Sequence, residues 1–205
     1  MNVIHIVDDE ESVRTSLAFL LEIAGFTTRI YATAAALLAR VDVLEDGCVI
    51  TDLRMPEING VELLRRLRAT GATIPAIVVT GHGDVQMAVE AIRQGAFDFI
   101  EKPFSETTII GSIHRAMDQA ARATERQQSA RALEVIEALT ANEREVMRGV
   151  VDGLPIKVIA ERLGITPQKV EGHRSAFMER MHVTSLPQLV RATMGAELLR
   201  AGSGP

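Results

Sequence analysis

"VIHIVDDEESVRTSLAFLLEIAG", residues 3–25, holds one complete structural unit. The apolar run Val3 to Val7 reads as a strand. Val13, Leu17, Leu20, Leu21 and Ala24 then recur at helical spacing, and Gly25 ends the pattern. Between the two stand four consecutive carboxylates, Asp8, Asp9, Glu10 and Glu11. Acids in the first turn of a helix are favoured by about 0.3–1 kcal/mol each, which accounts for Glu10 and Glu11. The pair at the strand's end, Asp8 and Asp9, is left over.

The unit recurs along the chain. Thr27 to Tyr31, Cys48 to Thr51, Ala76 to Thr80 and Phe97 to Ile100 read as further strands, and Val61, Leu64, Leu67 and Arg68 recur at helical spacing before Gly71. Nearly continuous apolar strands, each followed by an amphipathic helix, predict a parallel sheet covered on both faces. Five such units in about 120 residues predict an α/β flavodoxin-like domain with a five-stranded sheet in the order 2-1-3-4-5.

With 205 residues, the chain is long enough for two domains. It is 47% apolar but only 3% aromatic with no Trp, so its cores must be aliphatic. A single cysteine, Cys48, excludes an internal disulfide and a cysteine metal cluster, and its apolar neighbours make it a buried small hydrophobe. No run approaches the roughly 18 apolar residues of a membrane span, and the first residues lack a basic stretch followed by an apolar one. A cytoplasmic protein without membrane contact is expected. Charge is uneven: residues 1–120 carry 10 Lys and Arg against 17 Asp and Glu, the remainder 12 against 10.

After Phe104, Ser105 can cap a helix bearing Ile109, Ile110, Ile113 and Met117 on one side. The stripe then stops. From Asp118 to Ala132 the sequence is polar all round, as in a solvated helix or tether between domains. The predicted organisation is a domain over 1–118, a helical linker over 119–135 and a second domain over 136–205. In the latter, Thr140 and Glu143 have the spacing of a capping box. Val146, Met147, Val150 and Val151 precede Gly153, Ile156 to Leu163 read as a helix, and Pro167 opens another after Thr166. Leu186 to Leu199 completes an all-α domain of four short helices.

In an open parallel sheet, ligands bind beyond the carboxyl ends of the strands. Those ends carry Asp8 and Asp9, Asp52, Thr80, and Lys102 before Pro103. Three carboxylates gathered there would raise one another's pKa unless a cation neutralised them. An oxygen-only set with open positions suits Mg2+, or Mn2+, which accepts phosphate oxygens. Lys102 and Thr80 are then candidates to grip a phosphoryl group, and Asp52, on the central strand, is the best-placed nucleophile. A metal-dependent phosphatase of the haloacid dehalogenase kind would need a second Asp two residues after the first, where Arg54 stands.

On "HIVDDEESVRTSLAFLL", "VITDLRMPEINGVELLRRLR" and "PAIVVTGHGDVQMAVEAIRQGAFDFIEKPF" the chain resembles a response-regulator receiver domain over residues 3–118. The resemblance implies that Asp52 is a phosphoacceptor, served by a FixL-like sensor histidine kinase. It implies that Asp9, Asp52 and the backbone carbonyl of Arg54 bind Mg2+, with Asp8 helping through water. Lys102, before a cis proline, would pair with the phosphate, and Thr80 would donate to it. Phe99 stands at the family's aromatic switch position, and on the sequence alone it could equally be core. Met87, Val89 and Arg93 lie on the family's output surface and could form a homodimer interface once phosphorylated; Val89 could instead be core.

The tail reads as a helix-turn-helix: a support helix at 156–163, a turn at Gly164 and Ile165, and a second helix from Pro167 to Met181. Val170, Phe177 and Met181 should pack inward, with His173 or Arg174 between, leaving Gln168, Lys169, Glu171, Gly172 and Ser175 outside. Such a helix can enter the major groove of double-stranded DNA. Charge argues weakly, since residues 156–182 hold 5 Lys and Arg against 3 Asp and Glu, and a protein- or RNA-binding output stays open on the residues alone. The segment is similar to LuxR/FixJ-type DNA-binding domains over about residues 136–199, which implies DNA contacts from Lys157, Gln168, Lys169, Glu171, Gly172, His173, Arg174 and Ser175. It departs at Asn142, where Arg is usual, at Ile156, where Asn is usual, and at Lys169, where Thr is usual. Gly172 costs the helix about 1 kcal/mol relative to Ala; it either admits the groove or is drift. The joint resemblance implies a transcription activator, working with RNA polymerase on nitrogen-fixation or microaerobic genes, and not an enzyme.

Overall fold

Strand β1 (Val3–Val7) is buried along its whole length and pairs in parallel with β2 (Thr27–Tyr31) on one side and β3 (Gly47–Asp52) on the other. β4 (Ala76–Thr80) and β5 (Asp98–Glu101) extend the sheet, giving the all-parallel order β2-β1-β3-β4-β5. This is a computed structural model, and it describes residues 2–81 and 85–202. The expected fold class is the one observed. The chain divides into two compact units at residues 121 and 122.

Alternation along the strands builds two cores in the first unit. Ile4, Ile6, Ile50, Ile77 and Val79 pack with Leu17 and Leu21 of α1 (Glu11–Ile23) and with Ile109 and Ile113 of α5 (Glu106–Glu137). Val7, Val49 and Val78 face the other way, onto Leu37 of α2 (Ala34–Leu38), Leu63, Leu64 and Leu67 of α3 (Gly60–Ala69), and Ala91 of α4 (Val85–Arg93). α2 has only five residues, too few for a periodic signal. Cys48 is buried in the first of these cores, and desolvation pushes its thiol up to about 12, which keeps it protonated and inert.

Among the polar side chains buried in this sheet, His5 on β1 is titratable. His5 is fully buried, with Nε2 3.0 Å from the carbonyl oxygen of Glu45 and Nδ1 3.1 Å from the Tyr31 hydroxyl. A carbonyl can only accept, so Nε2 donates and Nδ1 accepts, which satisfies the neutral ring. Desolvation is the largest influence and lowers the His5 pKa, against the raising effects of the Glu45 carbonyl and charge. With a folded value below the unfolded one of about 6.5, the unfolded chain takes up this proton first as pH falls. The stability from His5 is therefore present above about pH 6.5 and lost as pH drops through the folded value. Thermal midpoints measured from pH 8 down to 5.5 should fall, and the fall should be smaller in His5→Asn; equal slopes would remove His5 as the cause.

In the second unit, α6 (Ala141–Val151), α7 (Ile156–Leu163), α8 (Pro167–Arg180) and α9 (Leu186–Gly202) surround a core containing Val146, Val150, Ile159, Val170, Phe177, Met181 and Leu189. The Thr140 and Glu143 capping box forms, and Thr166 caps α8 with Pro167 in its first turn. α5 runs unbroken to Glu137, through the stretch read as a helical linker. Its residues from Arg122 on belong to the second unit, and Ala132 and Val135, read as linker, are 0% and 7% exposed in that unit's core. Two small apolar residues in a polar stretch leave little periodic trace, yet they suffice where helices cross closely. Among the described residues, no helix is long and apolar enough to cross a membrane.

Candidate functional site

The carboxyl ends of β1, β3, β4 and β5 bring together residues far apart in sequence. The Lys102 ammonium lies 2.8 Å from Oδ1 of Asp52 and 3.0 Å from Oδ2 of Asp8. Asp8 is 5% exposed and Asp52 is half-buried. Burial works against the Lys102 charge, but its bonds to Asp52 and Asp8 outweigh that, so the net pKa is raised and the ammonium persists. The Lys102 N–H also donates to the Thr80 carbonyl at 2.7 Å, which ties the end of β5 to that of β4. The Lys102–Pro103 peptide is cis.

The remaining carboxylate oxygens are held locally. Oδ1 of Asp8 accepts from the Glu10 N–H at 2.9 Å, and Oδ2 of Asp52 accepts from the Arg54 N–H at 2.6 Å. Arg54 thus contributes its N–H to the site. Asp9 is exposed. Sequence reasoning missed Arg14, whose Nη1 donates to the carbonyls of Asp8 at 2.6 Å and Asp9 at 2.9 Å. A base in the first helical turn after an acid pair was the available signal. Thr80 is buried, and Phe99 is half-buried against the α2, α3 and α4 core.

The expected cluster of three carboxylates is corrected here: two carboxylates share one ammonium. Among the described residues, no three His, Cys, Asp or Glu side chains are grouped so as to hold a metal ion. The charge of Lys102, arriving from β5, offsets part of the repulsion that was read as demanding a divalent ion. The donors still suit Mg2+, which commonly takes one or two carboxylates and fills its other positions with water and phosphate oxygens. A carboxylate beside an ammonium and a hydroxyl-bearing strand end is equipped to accept a phosphoryl group.

Gly60 completes the site from behind. A β-carbon there would lie 2.5 Å from the Asp52 carbonyl oxygen, and the Gly60 N–H donates to the Leu53 carbonyl at 2.9 Å. Only glycine lets the start of α3 press against this backbone. Gly60→Ala should cost about 1–3 kcal/mol of stability and slow any chemistry at Asp52; a denaturant midpoint matching wild type would show that α3 can shift freely.

On α4, Val89 is 46% exposed and Arg93 is exposed, whereas Met87 packs partly onto the sheet core. Val89 is therefore not a core residue. Gly81 is described, but residues 82–84 lie outside the described residues.

In the second unit α7, the turn and α8 form the helix-turn-helix, with Gly164 in the left-handed conformation at φ 62°. Val170, Phe177 and Met181 are buried, and Lys157, Gln168, Lys169, Glu171, Gly172 and Ser175 are exposed. His173 and Arg174 are half-buried and engaged locally: His173 Nδ1 is 3.9 Å from Glu143 Oε1, and Arg174 is 3.4 Å from Glu171. A β-carbon at Gly172 would meet nothing within 4 Å, so the fold itself does not require glycine there.

Comparison with known proteins agrees with both halves. Residues 4–114 match the response regulator receiver domain, and residues 137–193 match the bacterial regulatory proteins of the luxR family. The chain is 48% identical to the transcriptional regulatory protein FixJ of Rhizobium meliloti (strain 1021), over 98% of this chain and 97% of that one. It is 43% identical to the C4-dicarboxylate transport transcriptional regulatory protein DctR of Rhodobacter capsulatus, over 93% and 98%. Among solved structures it resembles full-length FixJ from B. japonicum, with a TM-score of 0.60 and 39% identity over 96% of this chain and 98% of that one.

Proposed function

The chain belongs to the response regulators that join a receiver domain to a LuxR-type DNA-binding domain, and from that membership we propose that Asp52 takes a phosphoryl group from a FixL-like sensor histidine kinase. The observation that carries this reading is the Lys102 ammonium held between Asp52 and Asp8 at 2.8 and 3.0 Å. Asp9, Asp52 and the Arg54 carbonyl would hold Mg2+ or Mn2+, with Asp8 acting through water. When bound, the ion neutralises the carboxylates and the incoming phosphoryl oxygens.

Lys102 then pairs with the phosphoryl oxygens, Thr80 donates its hydroxyl to them, and Phe99 turns inward as Thr80 moves. Phosphorylation biases a two-state receiver only through contacts that differ between the states, and Lys102 and Thr80 supply them. The α4 surface of Met87, Val89 and Arg93 forms a homodimer in the phosphorylated state. Lys157, Gln168, Lys169, Glu171, Gly172, His173, Arg174 and Ser175 serve the DNA interface, with Lys169 toward phosphate. The protein acts in the cytoplasm as an activator with RNA polymerase, not as an enzyme acting on other molecules.

The 48% identity to FixJ supports nitrogen-fixation or microaerobic genes as the targets. The 43% identity to DctR supports a second reading, a regulon of transport genes. Footprinting of the phosphorylated protein on genomic DNA separates them. In gel shifts, acetyl phosphate with Mg2+ should strengthen binding about tenfold, a usual coupling for such switches, and EDTA should abolish the gain. Phosphoryl uptake undiminished in EDTA would remove the metal from the reading.

A further inference from the structure

We propose that Arg131 of α5 is a positioning residue for DNA reading, closing the carboxyl end of α8. The inference rests on α8 being the helix that enters DNA. A helix leaves its last carbonyls without intrahelical partners. Here the chain turns out of α8 through His182 at φ 54°, a left-handed conformation uncommon for a non-glycine residue. The N–H groups of Met181, His182 and Val183 return to the carbonyls of Phe177, Glu179 and Met178. The carbonyl of Arg180 is taken by Arg131, whose Nε donates to it at 2.9 Å. Nη2 of the same guanidinium donates to Nε2 of His182. A guanidinium can only donate, so this ring nitrogen accepts and the proton sits on Nδ1. One planar fork thus holds both the last helical carbonyl and the residue that ends the helix.

The fork stands on a rigid support. Ala132 and Val135, on the turn beside it, are buried. Ser129 lies so near α9 that a β-carbon at Gly195 would come within 2.0 Å of its Oγ. Arg131 itself is exposed, and it precedes the 137–193 stretch that matches the luxR family. Base edges are read through hydrogen bonds that tolerate little misplacement, whereas attraction to phosphates tolerates much. A cap that fixes where α8 ends and how it points should therefore act on sequence-specific binding alone.

The test uses the full chain, phosphorylated, as wild type, Arg131→Ala, Arg131→Lys and His182→Asn. Each is titrated on a duplex enriched from random DNA by the wild type and on an unselected duplex, over roughly 50–200 mM salt. Arg131→Ala should lose about fivefold on the enriched duplex, with unchanged salt slope and unchanged affinity for the unselected one. Arg131→Lys keeps the charge but not the fork and should lose as much. His182→Asn tolerates the left-handed conformation and keeps an acceptor, so it should stay near wild type. Equal losses on both duplexes with a salt slope smaller by about one would mean a direct phosphate contact and overturn the proposal. So would enriched-duplex affinity within twofold of wild type. A wild type that enriches no duplex would instead overturn the reading of α8 itself, and the proposal with it.

Discussion

Asp52→Asn should take no label from acetyl phosphate and Mg2+, a loss of at least about a hundredfold, since an amide is not a nucleophile toward phosphorus. The substitution is nearly isosteric, so the half-buried side chain keeps its place and an amide oxygen can still accept from the Arg54 N–H. Lys102 loses the charge at 2.8 Å but keeps Asp8 at 3.0 Å, so the ammonium remains partnered and the strand ends stay tied. Loss of label without loss of fold is therefore the expected pair of results, read by phosphate incorporation and by thermal midpoint. Label retained on the variant would place the nucleophile elsewhere, with Asp8 and Asp9 the next to replace.

Phe177→Ala should unfold the second unit while sparing the first. Phe177 is 1% exposed and is the largest side chain in a core otherwise of Val, Leu, Ile, Met and Ala. Truncating a buried Phe costs about 3–5 kcal/mol, a large part of the roughly 5–15 kcal/mol that holds a whole domain folded. The two units have separate cores, so the loss should stay in one of them. DNA binding and helical content should fall together, while Asp52 takes up phosphoryl at the wild-type rate. If labelling fell in parallel, the units would be one folding unit.

The sheet was legible because burial on both faces demands nearly continuous apolar strands, and these stand out against turns such as Gly25 and Gly71. The helix-turn-helix was legible from local signals, the Thr140–Glu143 box and the Thr166–Pro167 start, which act within four residues. α2 was not, having five residues, and the burial of the last turns of α5 was not, because Ala132 and Val135 are too sparse to mark a buried face.

Sequence alone was enough to place Asp8, Asp52, Thr80 and Lys102 at strand ends on one edge, because a parallel sheet puts all its carboxyl ends together. It could not say which cation the carboxylates share. That depends on how far the Lys102 side chain reaches from β5, and the folded chain sets it between Asp8 and Asp52. Nor could sequence separate Asp9 from Asp8: neighbours in a chain point apart once a strand ends, and only Asp8 is buried. Arg14 had a local signal, whereas the roles of Gly60 and Arg131 follow from the folded chain, since both act on backbone carbonyls, which carry no sequence signature.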